Sequence, residues 1–73
     1  MKETMGQIIR RLRKERNLTQ EELAEQLGIT FQAVSKWEND NGMPDISLIV
    51  PIAHVFGVST DVLFGTFGKN DTE

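Results

Sequence analysis

Apolar residues recur along this chain in short helical stripes, each opened by a hydroxyl or acidic residue and closed by a turn former. Met5, Ile9 and Leu12 fall at i, i+4 and i+7 with Ile8 beside them, which predicts a helix running to about Glu15 or Arg16. Thr4 and Gln7, three apart, offer that helix a capping box, and Asn17 suits the short turn after it. Leu23, Ala24 and Leu27 form the next stripe. Thr19 and Glu22 repeat the capping box, Leu18 and Leu23 stand at the spacing of a hydrophobic staple, and Gly28 follows as the left-handed C-terminal residue. One residue later the pattern restarts. Thr30 is the cap, Ile29 and Val34 the staple, and Val34 and Trp37 the inner face of a helix around 31–38. Asn39, Asp40, Asn41 and Gly42 stop that helix in a turn.

The second half follows the same grammar. Asp45 caps a fourth helix, in which Leu48, Ile49, Ile52, Ala53 and Phe56 are apolar and Gly57 marks the end. Pro51 lies in its interior, where a lost N–H and a steric clash cost about 3 kcal/mol or produce a kink; a bend is expected there. Ser59 caps the last helix, Asp61 sits in its first turn, and Val62, Leu63 and Phe64 provide packing before Gly65. Thr66 to Glu73 is polar and glycine-containing, and reads as a flexible C-terminal tail or the start of a linker. The expected organisation is therefore one all-α domain over 1–65 and a tail over 66–73.

The stretch from Leu18 to Glu38 organises the rest. Two short helices with so little chain between them cross steeply and share one core, which is the helix-turn-helix arrangement. In that arrangement the second helix can lie in the major groove of DNA. The run LTQEELAEQLGITFQAVSKWEN resembles the Cro/phage-repressor (XRE) type of helix-turn-helix domain, and the likeness continues through PDISLIVPIAHVFGVSTDVLFG, from Met5 to Gly65. The resemblance implies a compact five-helix bundle with the helix-turn-helix in helices 2 and 3. It also implies sequence-specific binding of double-stranded DNA by a transcriptional regulator, with repression favoured because occupying a promoter is enough to block polymerase.

Charge qualifies this picture. The 73 residues carry a net charge of −3, unusual for a binder of polyanions. The distribution is uneven: residues 1–37 hold seven Lys and Arg against five Asp and Glu, whereas 38–73 hold one against six. Most of the positive charge lies in RRLRKER. A basic face with an acidic rear can still bind a polyanion, because screening over about 8–10 Å limits the distant carboxylates. No cysteine is present, which excludes disulfides and thiolate metal sites. No apolar run approaches the ~20 residues of a membrane span. MKETMGQIIRRLRK lacks an apolar signal core, so a cytoplasmic protein is the default expectation.

The third helix carries the candidate chemistry. With Val34 and Trp37 inward, Phe31, Gln32, Ser35 and Lys36 face outward or to the rim as candidate base contacts. Gln32 can hydrogen-bond an adenine edge through two atoms, Lys36 can reach a guanine acceptor or a phosphate, and Phe31 can pack on a thymine methyl. Thr19 and Gln20 at the start of the second helix, and Asn39 and Asn41 after the third, are candidates for the sugar–phosphate backbone. A solvated Gln20 is the plain alternative, and Asp40 is expected to point away from the nucleic acid. Trp37 belongs to the core rather than to a stacking platform. Most of the basic residues of the first helix read as a solvated face. Arg13 is the exception, since in the family the matching arginine pairs with a glutamate ending the recognition helix, here Glu38.

No nucleophile–base pair, phosphate loop or metal-ligand spacing appears, so no enzyme, cofactor or metal is implied, and the lone His54 reads as a surface residue. The alternative function is a protein-interaction module on the same fold, such as the antitoxin of a toxin–antitoxin pair. One helix reads too few base pairs to select a genomic site, so a homodimer on a palindromic operator is expected. Its contact surface is expected around the last helix, at Val62, Phe64 and Phe67, unless Phe64 instead closes the monomer core.

Overall fold

A computed structural model describes residues 3–65. Among these residues there are five helices and connecting turns: α1 (Met5–Glu15), α2 (Gln20–Leu27), α3 (Phe31–Glu38), α4 (Ile46–Phe56) and α5 (Thr60–Leu63). The expected tail, with Phe67, lies outside the described residues.

Local signals explain both ends of most helices. Thr4 caps α1 and Thr19 caps α2, each in a full capping box: Thr4 Oγ1 accepts from Gln7 N at 3.1 Å, and Thr19 Oγ1 accepts from Glu22 N at 3.0 Å. Gln7 and Glu22 reach back to the cap N–H groups at 2.9 and 2.8 Å. At α4 the Asp45 carboxylate accepts from the Ser47 backbone N–H and hydroxyl, at 3.0 and 2.7 Å. Those bonds hold its pKa below the ordinary carboxylate value of 3.8. This cap therefore contributes stability above that value and loses it as pH falls through the lowered one. Thr30 and Ser59 occupy cap positions with extended backbone, but their hydroxyls make no capping bond; only the backbone half of those expectations holds.

Four of the helices end alike. Asn17, Gly28, Asp40 and Gly57 are left-handed, with φ between 57° and 71°. In each case the next residue's N–H reaches back to a carbonyl five positions earlier, as in Asn41 N to Lys36 O at 2.8 Å. Pro51 lies on the exposed side of α4 and does not break it. The carbonyl that loses its donor there is that of Ser47, also exposed, where water can replace the bond.

Packing brings α3 against α1 and α2, and α4 against α2 and α5, with α1 also touching α5. The shared core holds Ile8, Ile9 and Leu12 of α1, Leu23 and Ala24 of α2, and Val34 and Trp37 of α3. Ile49, Ile52, Ala53 and Phe56 of α4 and Leu63 of α5 complete it. Met5 and Leu48 are only half-buried. Phe64 does not pack as expected: it is 52% exposed, and Leu63 closes that end of the core instead.

Candidate nucleic-acid interface

The helix expected to carry recognition is held from behind at its C-terminal end. Glu38 is buried although charged, and Arg13 of α1 meets it through two bonds: Nε to Oε2 at 2.7 Å and Nη2 to Oε1 at 2.9 Å. The remaining Nη1 of Arg13 donates to the Leu18 carbonyl at 2.7 Å. One guanidinium thus ties α1, the turn before α2 and the end of α3. The hydrogen bonds to Glu38 raise the already high pKa of Arg13, so its charge is constant at any working pH. The expected structural ion pair, Arg13 with Glu38, is therefore present and shielded from water.

A second close contact lies about two helical turns back along α1. A Cβ built on Gly6 of α1 would fall 1.9 Å from the Trp37 carbonyl oxygen and 2.8 Å from a carboxylate oxygen of Asp40. Only a glycine lets α1 approach the last turn of α3 this closely. Asp40 thus lies against the start of α1.

With that end anchored, the outer side of α3 presents the expected residues. Gln32 and Lys36 are exposed, Ser35 is half-buried and Phe31 is 44% exposed. Gln32 and Lys36 stand one turn apart on a single face, while Val34 and Trp37 fill the core behind them. Asn39 and Asn41 are exposed just beyond the helix, and the Asn39 amide makes a long 3.4 Å contact to Ser35 Oγ.

The α2 end of the site differs from expectation. Gln20 is neither a solvated glutamine nor wholly free for a ligand: its Nε2 donates to Glu38 Oε1 at 3.1 Å, joining the Arg13 network. One amide hydrogen and the carbonyl remain. Thr19 has both its hydroxyl oxygen and its backbone N–H engaged in the capping box, leaving the hydroxyl hydrogen to donate. At the start of α2 the N–H groups of Gln20 and Glu21 have no acceptor within the helix.

The basic run of α1 is also less available than its composition suggests. Arg11 pairs with Glu3 at 2.9 Å and with Glu15 at 3.5 Å. Arg16 is not part of a solvated face. It donates to the Phe56 carbonyl at 2.8 Å and the Leu12 carbonyl at 3.1 Å, and its guanidinium lies 5.5 Å from the centre of the Phe56 ring. It thereby satisfies the last carbonyl of α4 and one in the last turn of α1, and places a positive charge at the negative end of α4. Among the described residues Arg10, Lys14 and Lys36 are the cations outside ion pairs and this cap.

Comparison with known proteins agrees with this geometry. The chain is 44% identical over 55 residues to the HTH-type transcriptional activator BcrR of Enterococcus faecalis, an alignment covering 75% of this chain and 27% of that protein. It is 32% identical over 73 residues to the HTH-type transcriptional regulator ImmR of Bacillus subtilis, covering 96% of this chain and 58% of the relative. The chain thus spans only part of these relatives. Its fold superposes on the P22 c2 repressor in complex with a synthetic operator with a TM-score of 0.82 and 26% identity, over 88% of this chain and 97% of the repressor chain. The helix-turn-helix family model matches residues 9–63. The chain belongs to the helix-turn-helix family, in its Cro/phage-repressor (XRE) branch.

Proposed function

We propose that this chain binds duplex DNA sequence-specifically as the DNA-reading part of a transcriptional regulator, acting by repression. The carrying observation is an anchored α3 whose outward face holds Gln32 and Lys36 beside Phe31 and Ser35. A reading element must hold its geometry to discriminate bases, and the Arg13–Glu38–Gln20 network with the Gly6 contact supplies that rigidity. Gln32 reads a base edge and Lys36, one turn on, reaches a guanine acceptor or a phosphate, with Phe31 and Ser35 at the margins of the groove. The spare amide hydrogen of Gln20, the Thr19 hydroxyl and the amides of Asn39 and Asn41 meet backbone phosphates. The P22 c2 repressor, seen with an operator, and regulators such as ImmR favour this reading over an antitoxin.

Two copies bind a palindromic operator with half-sites about 34 Å apart, because one α3 spans too few base pairs to be selective. Hydroxyl-radical footprinting tests this. Two protected patches on one face of the duplex are expected, and a single protected half-site at saturation contradicts the pairing.

A further inference from the structure

Asparagine is among the thermolabile side chains. Its weak point is attack on the side-chain amide by the backbone nitrogen of the next residue. The described residues include Asn17, Asn39 and Asn41, and the first two are protected. The N–H that follows Asn17 is that of Leu18, which donates to the Arg13 carbonyl at 3.1 Å; the one that follows Asn39 is that of Asp40, which donates to the Trp37 carbonyl at 3.1 Å. Leu18 and Asp40 also carry side chains that crowd the approach. Asn41 differs on each count. Its successor is Gly42, which has no Cβ to obstruct attack. Among the described residues neither the Gly42 N–H nor the Asn41 side-chain amide has a hydrogen-bond partner. Both residues are exposed, in the irregular stretch between the end of α3 and the buried Pro44. The Asn41 N–H is held by the Lys36 carbonyl at 2.8 Å, which leaves the peptide unit after it untethered.

We propose that Asn41 and Gly42 form a self-modifying site, at which Asn41 deamidates and the chain thereby loses affinity for DNA; the loss of affinity rests on the DNA-binding reading above. A base in solvent takes the Gly42 amide proton, and the nitrogen attacks Asn41 Cγ. The new N–Cγ bond closes a succinimide ring, the Cγ–Nδ2 bond breaks, and Nδ2 leaves as ammonia, taking back the proton. Water then adds to either ring carbonyl and cleaves one C–N bond, giving aspartate or isoaspartate at position 41. Water is the sole co-reactant, and nothing is oxidised or reduced. Either product puts a carboxylate next in sequence to Asp40, on a chain already at −3. The Asn41 amide is the donor assigned above to a backbone phosphate, whereas a carboxylate only accepts and repels that phosphate. Isoaspartate also adds a methylene to the main chain, directly after the bond that ties this turn to α3.

The test ages the full chain in warm, mildly alkaline buffer and compares wild type, Gly42→Ala and Asn41→Asp. Gly42→Ala suits the purpose because its Cβ would meet only Lys36 Cβ, at 3.9 Å, and the backbone there is not left-handed. Peptide mapping by mass spectrometry locates the mass gained when NH2 becomes OH, and circular dichroism checks that the helices persist. Binding is measured before and after ageing on duplexes enriched by fresh wild type. Wild type should deamidate at Asn41 ahead of Asn17 and Asn39, and lose affinity in step with the fraction modified. Gly42→Ala should stay intact at Asn41 over the same time and keep its affinity. Asn41→Asp should bind about 10-fold or more weakly from the start, the loss expected for one hydrogen bond to a charged group. Deamidation at Asn17 or Asn39 first, or at equal rates at Asn41 in wild type and Gly42→Ala, overturns the site. Unchanged affinity in both Asn41→Asp and aged wild type overturns its effect on DNA. Failure of fresh wild type to enrich any duplex overturns the DNA-binding reading instead, and the mass map still decides the site.

Discussion

Gly6 and Glu38 do for α3 what no residue on its outer face can. Gly6 sits where a methyl group would strike a backbone oxygen, not a side chain that could swing away. Alanine would ordinarily favour a helix interior over glycine by up to about 1 kcal/mol. Overpacking against fixed backbone costs about 1–3 kcal/mol, and here it wins. Gly6→Ala is therefore expected to lower stability in urea denaturation; a stabilised variant would show that α1 and α3 are not in close contact. Glu38 presents a different balance. A buried ion pair is weak evidence of net stabilisation, but removing one partner strands the other and costs about 3–5 kcal/mol. An exposed pair would forfeit at most about 1 kcal/mol. Arg13→Ala and Glu38→Ala should each fall in the larger range, a serious loss when a chain this size has only about 4–11 kcal/mol in total. Losses under the exposed ceiling would mean that the pair is not shielded.

At the scale of elements, α3 separates two kinds of contact. Gln32→Ala should weaken the preferred duplex by about 1–3 kcal/mol and relax discrimination at one base position. If Lys36 serves phosphate only, Lys36→Ala should weaken all duplexes alike and flatten the salt dependence by about one unit. Equal loss on preferred and random DNA for Gln32→Ala would reassign Gln32 to positioning. The helices themselves were legible in the sequence because their signals are local: Thr4 with Gln7, Thr19 with Glu22 and the terminal Gly28 and Gly57 all act within one turn. The outward set on α3 was legible too, since Val34 and Trp37 settle which side is inner. What the sequence hid depends on distant partners. Arg16 reaches a carbonyl forty residues away, Gln20 a carboxylate eighteen away, and Gly6 the far end of α3. No periodicity encodes such meetings. Arg13–Glu38 was anticipated through family resemblance, not spacing.

For the whole molecule, electrostatics sets the balance between affinity and selectivity. Composition suggests a basic patch, yet Arg13 and Arg16 are engaged within the fold and Arg11 is paired with Glu3 and Glu15 on the surface. That leaves Arg10, Lys14 and Lys36 as described cations able to displace counterions from DNA. With about 0.9 counterion released per neutralised phosphate, and with Lys2 and Lys69, which lie outside the described residues, counted beside these three, the slope of log affinity against log salt should be no steeper than about −4.5 per copy. A much steeper slope would show that the internal pairs open on binding. Such a chain gains little from non-specific attraction, so its discrimination rests on Gln32 and its neighbours and on pairing two copies.

The most direct measurement of the central claim is selection of bound duplexes from a random DNA library at fixed, stated salt, run in parallel with wild type and Gln32→Ala. The wild-type chain should enrich a palindromic motif with half-sites about one helical turn apart, and Gln32→Ala should lose preference at one position in each half. A wild-type pool that remains random after repeated rounds would contradict the claim that α3 reads DNA sequence.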